Sequence, residues 1–115
     1  MKIYISSHSQ ELARELAKKL EENGHTIVSS WINVEFLPTE KIANEAEKMD
    51  IAVRDVEEVK SCDCVYHIAG PDRYPGGKFV EVGVALGLGK PVMLIGRREN
   101  CLMYHPLVYG CREKI

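Results

Sequence analysis

Residues 76–92 read Gly76-Gly77-Lys78-Phe79-Val80-Glu81-Val82-Gly83-Val84-Ala85-Leu86-Gly87-Leu88-Gly89-Lys90-Pro91-Val92. The apolar, small-residue segment after the two glycines predicts a short helix, which Gly89 ends. Lys90-Pro91 then leads into an apolar strand over residues 92–95. The stretch therefore predicts a helix followed at once by a buried strand.

The same alternation extends over the rest of the chain. We predict further strands at residues 3–5, 25–29 and 64–68, and a short edge strand at 107–111. Helices are predicted over about 9–23, with Ser7 and Gln10 forming a capping box and Gly24 as the stop, and from a cap at Thr39, resuming over about 52–60. Alternating strands and helices indicate an α/β fold: a single-domain, three-layer sandwich over residues 1–115, with a parallel five-stranded sheet of flavodoxin-like or Rossmann-like type.

Composition narrows the class of protein. The chain has 115 residues and a formal net charge of -2, with no clustered Lys and Arg, so no nucleic-acid partner is expected. No apolar run is long enough to span a membrane, and no signal peptide is evident, which predicts a cytoplasmic protein. The four cysteines lack zinc or redox spacing and the histidines are scattered, so we expect reduced, buried thiols, no metal and no cofactor.

Three segments should converge at the carboxyl edge of the sheet: residues 6–9, 69–81 and 96–105. Glu81 is the strongest candidate among them. We expect it in the first turn of its helix, where the helix dipole favours the carboxylate. Such an acid is often simply solvated, but this helix is otherwise apolar. Glu81 is therefore a candidate nucleophile, base or acceptor for a sugar hydroxyl.

Other polar residues allow two interpretations each. Asp55, placed near the start of a helix, either stabilises that helix or projects into the cleft. Ser6 and Ser7 suit a sugar or phosphate, although Ser7 equally suits a helix cap. Asp72 and Arg73 fit a substrate contact or a plain turn. Asp63 precedes its strand, at the end opposite the expected ligand crevice, so we expect it to have a capping or turn role. No nucleophile elbow, GxGxxG or Walker A motif is present.

Several of these segments, taken in order, resemble the nucleoside 2-deoxyribosyltransferase family. They are Met1 to Ser7, Gly24 to Trp31, Asp55 to Asp63, Gly76-Gly77 to Ala85, and Gly89-Lys90-Pro91-Val92. The element Gly-Gly…Glu-x-Gly-x-Ala…Gly-Lys-Pro-Val is the most specific part. The resemblance implies a flavodoxin-like fold and either transfer of 2-deoxyribose between bases or hydrolysis of deoxynucleoside 5′-monophosphates.

The resemblance also implies roles for single residues. Glu81 would attack the anomeric carbon to form a glycosyl-enzyme, Asp55 would assist near the base or sugar, and Tyr4 would orient the nucleophile. The substrate would contact a further set of residues, namely Ser6, Ser7, Asp72, Arg73, Gly76 and Gly77. The partner would be a small nucleoside or nucleotide, and the protein a homodimer or higher homo-oligomer whose neighbouring subunit lies near the pocket.

Two departures from the family pattern leave alternatives open. Pro75 stands where better-studied members have Asp or Ser, and the C-terminal extension of the transferases does not follow Ile115. A non-catalytic nucleotide-binding module of the same fold is one alternative. A glycohydrolase of NAD-like or ADP-ribose-like substrates is another.

Overall fold

The computed structural model describes residues 1–34, 42, 44–71 and 77–111. Within these ranges five strands form one sheet: β1 (Lys2–Ser6), β2 (Thr26–Ile27), β3 (Cys64–Ile68), β4 (Val92–Ile95) and β5 (Val108–Gly110). Three α-helices accompany them: α1 (Gln10–Glu22), α2 (Glu45–Ser61) and α3 (Gly77–Gly87). Two 3-10 helices lie at Ser30–Asn33 and Cys101–Tyr104.

The sheet is parallel throughout, in the order β2-β1-β3-β4-β5. This is the strand order of flavodoxin-like folds. The chain adds β2 on one side of β1 and β3 to β5 on the other, so the topological switch point lies between β1 and β3. Ser6 and His67 are register partners at the carboxyl ends of these two strands. The predicted fold class is confirmed, and folds of this topology bind their ligands beside the carboxyl ends of such a strand pair.

Successive side chains of β1 point to opposite faces of the sheet and so contribute to two separate hydrophobic cores. Ile3 and Ile5 pack with the apolar face of α1, whereas Tyr4 packs on the other side with residues of α3 such as Val82. Because side chains alternate along a strand, one short sequence supplies both cores. The face that carries Tyr4 and Ser6 is therefore the face that meets α3.

The ends of α1 follow local chemistry. Ser9, and not Ser7, is the N-cap: its Oγ accepts a hydrogen bond from the N–H of Leu12 at 3.2 Å. Gly24 has a φ of 88° and follows the helix, a left-handed conformation that glycine adopts without steric cost. The predicted stop is confirmed, and the predicted capping box at Ser7 is wrong by two residues.

Helix α2 differs most from expectation. It is one continuous helix whose N-cap is Asn44, with the side chain accepting from the N–H of Glu47. The prediction of two helical segments, the second starting near Ala52, is therefore wrong. Asp55 lies in the interior of α2 and not near a helix start.

Two smaller expectations concern the strands. The segment predicted as a strand over 25–29 has only two residues in the sheet, Thr26–Ile27. At the amino edge of the sheet, Asp63 accepts a hydrogen bond from the N–H of Lys2 at 2.7 Å, and its own N–H donates to the Lys2 carbonyl. Asp63 therefore joins the start of β1 to the start of β3, at the edge of the sheet opposite Ser6 and His67.

Candidate active site

The side chain of Glu81 lies at the crevice between β1 and β3, where two residues of β1 hold its carboxyl group. The hydroxyl of Tyr4 donates to Oε2. The hydroxyl of Ser6 lies 3.1 Å from Oε1. Each carboxyl oxygen thus has a partner on the same rigid strand, which fixes the plane of the group. The structure brings together three of the residues that the sequence singled out.

Burial controls the charge of Glu81. Burial raises its pKa to about 7, opposed by the hydrogen bonds from Tyr4 and Ser6 and assisted by the negative charges of Asp55 and Glu58. No acidic residue lies in the first turn of α3. The expectation that a first-turn position favours the anion is therefore wrong, because Glu81 lies one turn further along, where desolvation dominates. Near neutral pH the group is a mixture of acid and carboxylate.

Tyr4 remains a phenol at any physiological pH. Burial, together with the negative charge of Glu81 and the hydrogen bond to it, raises the pKa of Tyr4 far above its ordinary value. The Tyr4 side chain is fully buried. A phenol that keeps its proton is a permanent hydrogen-bond donor, so Oε2 of Glu81 is always bonded.

Two carboxyl groups of α2 act on this centre. Asp55 forms an ion pair with Arg54 at 3.1 Å. Burial raises the pKa of Asp55, opposed by Arg54, with a further increase from the charge of Glu58. The charge of Asp55 in turn raises the pKa of both Tyr4 and Glu81. The negative charge of Asp55 therefore acts on both Tyr4 and Glu81, and its part in the reaction stays a prediction.

Glu58 was missed by the sequence analysis. Its Oε1 accepts the N–H of Ser30 at 3.1 Å, and its charge raises the pKa values of Tyr4, Asp55 and Glu81. The available signal was its spacing, because a residue three positions after Asp55 shares its face of a helix.

A second polar cluster lies beside the first. Glu99 Oε1 is 2.6 Å from His67 Nε2, and Glu99 Oε2 accepts from Lys78 Nζ at 2.6 Å and from the N–H of Gly70 at 3.2 Å. The side chains of His67, Lys78 and Glu99 are 0%, 3% and 5% exposed. Sequence analysis treated His67 as isolated and did not select Glu99, although residue 99 lies in the segment after β4 that was expected at this edge.

Comparison with known proteins supports the resemblance. The family model described as nucleoside 2-deoxyribosyltransferase matches residues 3–105. This chain belongs to that family. A search of curated protein sequences gave no match.

Solved structures agree with the family assignment. The chain is similar to the 2-deoxyribosyltransferase of Bacillus psychrosaccharolyticus, with 29% identity, a TM-score of 0.71, and coverage of 96% of this chain and 87% of that one. It shares the fold of the CMP N-glycosidase BcmB of Clostridium botulinum, at 20% identity and a TM-score of 0.57, covering 83% of this chain and 71% of that one. The 2-desoxiribosyltransferase of Leishmania mexicana gives 19% identity and a TM-score of 0.57, with coverage of 82% and 63%.

The family resemblance implied five further substrate contacts. The structure of this nucleoside 2-deoxyribosyltransferase family member describes only two of these residues. Ser7 Oγ accepts the N–H of Ser9 at 3.0 Å and so closes a turn. Gly77 is the first residue of α3. The predictions for Asp72, Arg73 and Gly76 lie outside the described residues. The substrate roles of all five stay predictions.

Within residues 1–34, 42, 44–71 and 77–111, no group of three His, Cys, Asp or Glu side chains is arranged to hold a metal ion. No helix in the same ranges is long and apolar enough to cross a membrane. Cys62 and Cys64 are buried as expected, and burial raises the pKa of the Cys64 thiol to about 11. Cys101 is exposed and Cys111 half-buried.

Proposed function

We propose that this protein cleaves the N-glycosidic bond of a nucleoside or nucleotide through a covalent intermediate on Glu81. One observation carries the proposal: the Glu81 carboxyl is held by Tyr4 and Ser6 at the β1–β3 switch point. A carboxylate fixed there suits attack on a sugar carbon that develops positive charge. Membership of the nucleoside 2-deoxyribosyltransferase family supports glycosyl transfer or cleavage as the reaction class.

The first half-reaction breaks the glycosidic bond. An oxygen of ionised Glu81 forms a bond to C1′ while the bond from C1′ to the base nitrogen breaks, and the electron pair leaves with the base. The departing base needs a proton. We assign this proton to Asp55, which supplies or relays it, because its charge acts on Glu81 and burial raises its pKa.

The second half-reaction frees the enzyme. Water or a second base attacks C1′ on the face opposite the bond to Glu81, and the proton of the attacking group passes to the Asp55 carboxylate. The bond between C1′ and the Glu81 oxygen breaks, which restores the Glu81 carboxylate. Two displacements give overall retention at C1′. Hydrolysis and deoxyribosyl transfer share this scheme and differ only in the acceptor.

Incubation with a panel of deoxynucleosides, deoxynucleoside 5′-monophosphates and NAD, followed by chromatography for free base, tests the proposal. Addition of a second base distinguishes transfer from hydrolysis. We expect wild type to release base and Glu81→Gln to release none above background. Binding without release by wild type would support the non-catalytic alternative, and cleavage of NAD alone would support the NAD-like glycohydrolase.

We also propose that the protein is at least a homodimer in the cytoplasm. Val82 of α3 packs in the chain's own core and is not accessible to a second copy. Exposed apolar side chains instead form a stripe on α2: Met49, Val53 and Val56 are 66%, 60% and 37% exposed. Their spacing places them on one helix face. A second copy of this chain is the proposed occupant, as the family resemblance implies.

Sedimentation at micromolar concentration should give a mass of at least twice 13.0 kDa. Val53→Lys should lower that mass to the monomer value, whereas Glu15→Lys, at an exposed position of α1, should not. A wild-type monomer that still cleaves its substrate would contradict the assembly.

A further inference from the structure

Glu99 is connected to the proposed nucleophile by a buried chain of side chains. It contacts His67 on β3 through Oε1, and Lys78 on α3 and Gly70 after β3 through Oε2. His67 Nδ1 lies 3.4 Å from Ser6 Oγ, and Ser6 Oγ lies 3.1 Å from Glu81 Oε1. The proposed mechanism above assigns no role to this arm of the site.

The protons on this chain can be assigned from its partners. Burial disfavours the Glu99 carboxylate, but the hydrogen bonds from Lys78, His67 and Gly70 outweigh it, so the pKa of Glu99 lies below its usual value. Burial lowers the pKa of His67 despite its bond to Glu99. His67 is therefore neutral, and anionic Glu99 requires the proton on Nε2. Nδ1 then carries a lone pair and acts only as an acceptor.

The Ser6 hydroxyl therefore has more hydrogen-bond acceptors around it than it has protons to donate. Its Oγ lies 3.0 Å from the Lys78 carbonyl, 3.1 Å from Glu81 Oε1 and 3.4 Å from His67 Nδ1. A hydroxyl has one proton, so these three acceptors share it. Oε1 of Glu81 is bonded only part of the time, whereas Oε2 is held permanently by Tyr4.

We propose that Glu99 is a positioning residue that fixes the tautomer of His67 and thereby leaves Oε1 of Glu81 as the oxygen that attacks C1′. The inference rests on the proposed function. With Nδ1 unprotonated, His67 competes for the Ser6 proton and keeps Oε1 less solvated and more nucleophilic. With Nδ1 protonated, His67 would donate to Ser6, whose own proton would then turn toward Oε1 or the Lys78 carbonyl.

Glu99→Gln is a direct test because the surroundings orient the new amide. Lys78 Nζ and the Gly70 N–H both donate to Oε2, so the amide oxygen must take that position. The NH₂ group then faces His67 Nε2 and donates to it. The substitution is nearly isosteric, yet it reverses the hydrogen bond and moves the His67 proton to Nδ1.

The first readout is ¹⁵N NMR of His67 in the free protein. Wild type should show the proton on Nε2, and Glu99→Gln should show it on Nδ1. A wild-type proton on Nδ1, or the same tautomer in both proteins, would overturn the proposal. Ser6→Ala is a second variant: the wild-type Nδ1 resonance should move toward that of an acceptor without a donor, and no change would also overturn it.

The second readout is the titration of Glu81, followed by ¹³C NMR of its carboxyl and by the pH profile of kcat. In Glu99→Gln the midpoint should move to lower pH, because a donor to Oε1 favours the anion. The alkaline plateau of kcat should fall about fivefold with KM unchanged, the usual effect of one hydrogen bond. The other groups that face Glu81, namely Tyr4, Asp55 and Glu58, are unaltered.

A double-mutant cycle separates two effects of Glu99→Gln on the Glu81 titration midpoint: the change of the His67 tautomer and the loss of the Glu99 charge. Glu99→Gln also leaves Lys78 without its counter-charge, which lowers the midpoint through space. In the Ser6→Ala background only this effect remains, so the shift should be smaller there. An equal shift in both backgrounds would overturn the route through Ser6. Exposed Glu57→Gln should change neither readout. If wild type cleaves no substrate, the proposed function fails, and the two NMR measurements still test the chain from Glu99 to Glu81.

Discussion

Glu81→Gln should stabilise the fold while it abolishes turnover. In the folded protein the pKa of Glu81 is raised from 4.5 to about 7, chiefly by burial. A carboxyl group whose pKa is raised by folding stabilises the protein below its unfolded pKa, and that contribution is lost as the pH rises through the folded pKa. The difference corresponds to about 3 kcal/mol at alkaline pH. Glutamine has no charge to bury and avoids this loss.

The hydrogen bonds around position 81 accommodate an amide. Tyr4 can donate to the amide oxygen, and the NH₂ group can donate to Ser6 Oγ, which already reaches the Lys78 carbonyl at 3.0 Å. No buried polar group loses its partner, so the substitution itself costs little. We therefore expect Glu81→Gln to exceed wild type by about 2–3 kcal/mol near pH ~8.5 and to match it near pH ~4.

Urea unfolding of both proteins across this pH range measures the difference. Glu57→Gln is the matched control, since the Glu57 side chain is 61% exposed and the same chemical change there should have little effect at any pH. The reasoning would be refuted if Glu81→Gln were less stable than wild type near pH ~8.5, or if the gain did not vanish toward acid pH. In parallel, turnover should fall by at least about a thousandfold, because the amide is no nucleophile.

Three further predictions concern other contacts. Tyr4→Phe should move the kcat midpoint to higher pH, because the Glu81 anion loses a donor, whereas Tyr109→Phe at an exposed position should not; an unchanged midpoint would contradict the role of Tyr4. A 2-fluoro-2-deoxy nucleoside matched to the substrate should label the Glu81 peptide by mass spectrometry, since fluorine slows breakdown of the glycosyl-enzyme; an unlabelled protein that still turns over would point to direct attack by water. Lys90→Met should lower stability by about 1–3 kcal/mol in urea without altering kcat, because Lys90 Nζ binds the carbonyl groups of Val59, Lys60 and Cys62 at the end of α2; wild-type stability would refute this cap.

Local sequence was sufficient to predict a strand or helix wherever the apolar pattern of that segment alone determines which of its side chains are buried. The apolar runs of β3 and β4 were predicted with their observed bounds, Cys64–Ile68 and Val92–Ile95. The spacing of Leu16 and Leu20 located α1 because both side chains face the core. The meeting of Ser6 with Glu81 was also predictable in outline, since the carboxyl ends of parallel strands share one edge.

Helix α2 shows why periodicity can mislead. Met49 fits the apolar spacing of a helix face, yet its side chain is 66% exposed, and Val53, four positions later, is 60% exposed. Apolar side chains on a solvent-facing helix give the same spacing as a buried face, so the pattern did not locate the core. The helix start was equally hidden, because Asn44 and Thr39 both suit an N-cap by sequence; the N-cap of α2 is Asn44, and Thr39 lies outside the described residues.

The charge of Glu81 could not be predicted from its own helix. Helix position suggested a stabilised anion, but the groups that control its pKa are brought in by the fold: Tyr4 and Ser6 lie 77 and 75 positions away in the chain. Their strand supplies both the donors that favour the anion and the packing that excludes water from it. Desolvation is the larger effect on the pKa of Glu81. The packing that raises this pKa therefore also lowers the free energy of unfolding whenever the carboxyl group is ionised. The position of such a carboxyl group follows from the topology, whereas its pKa depends on contacts between residues that are far apart in the sequence.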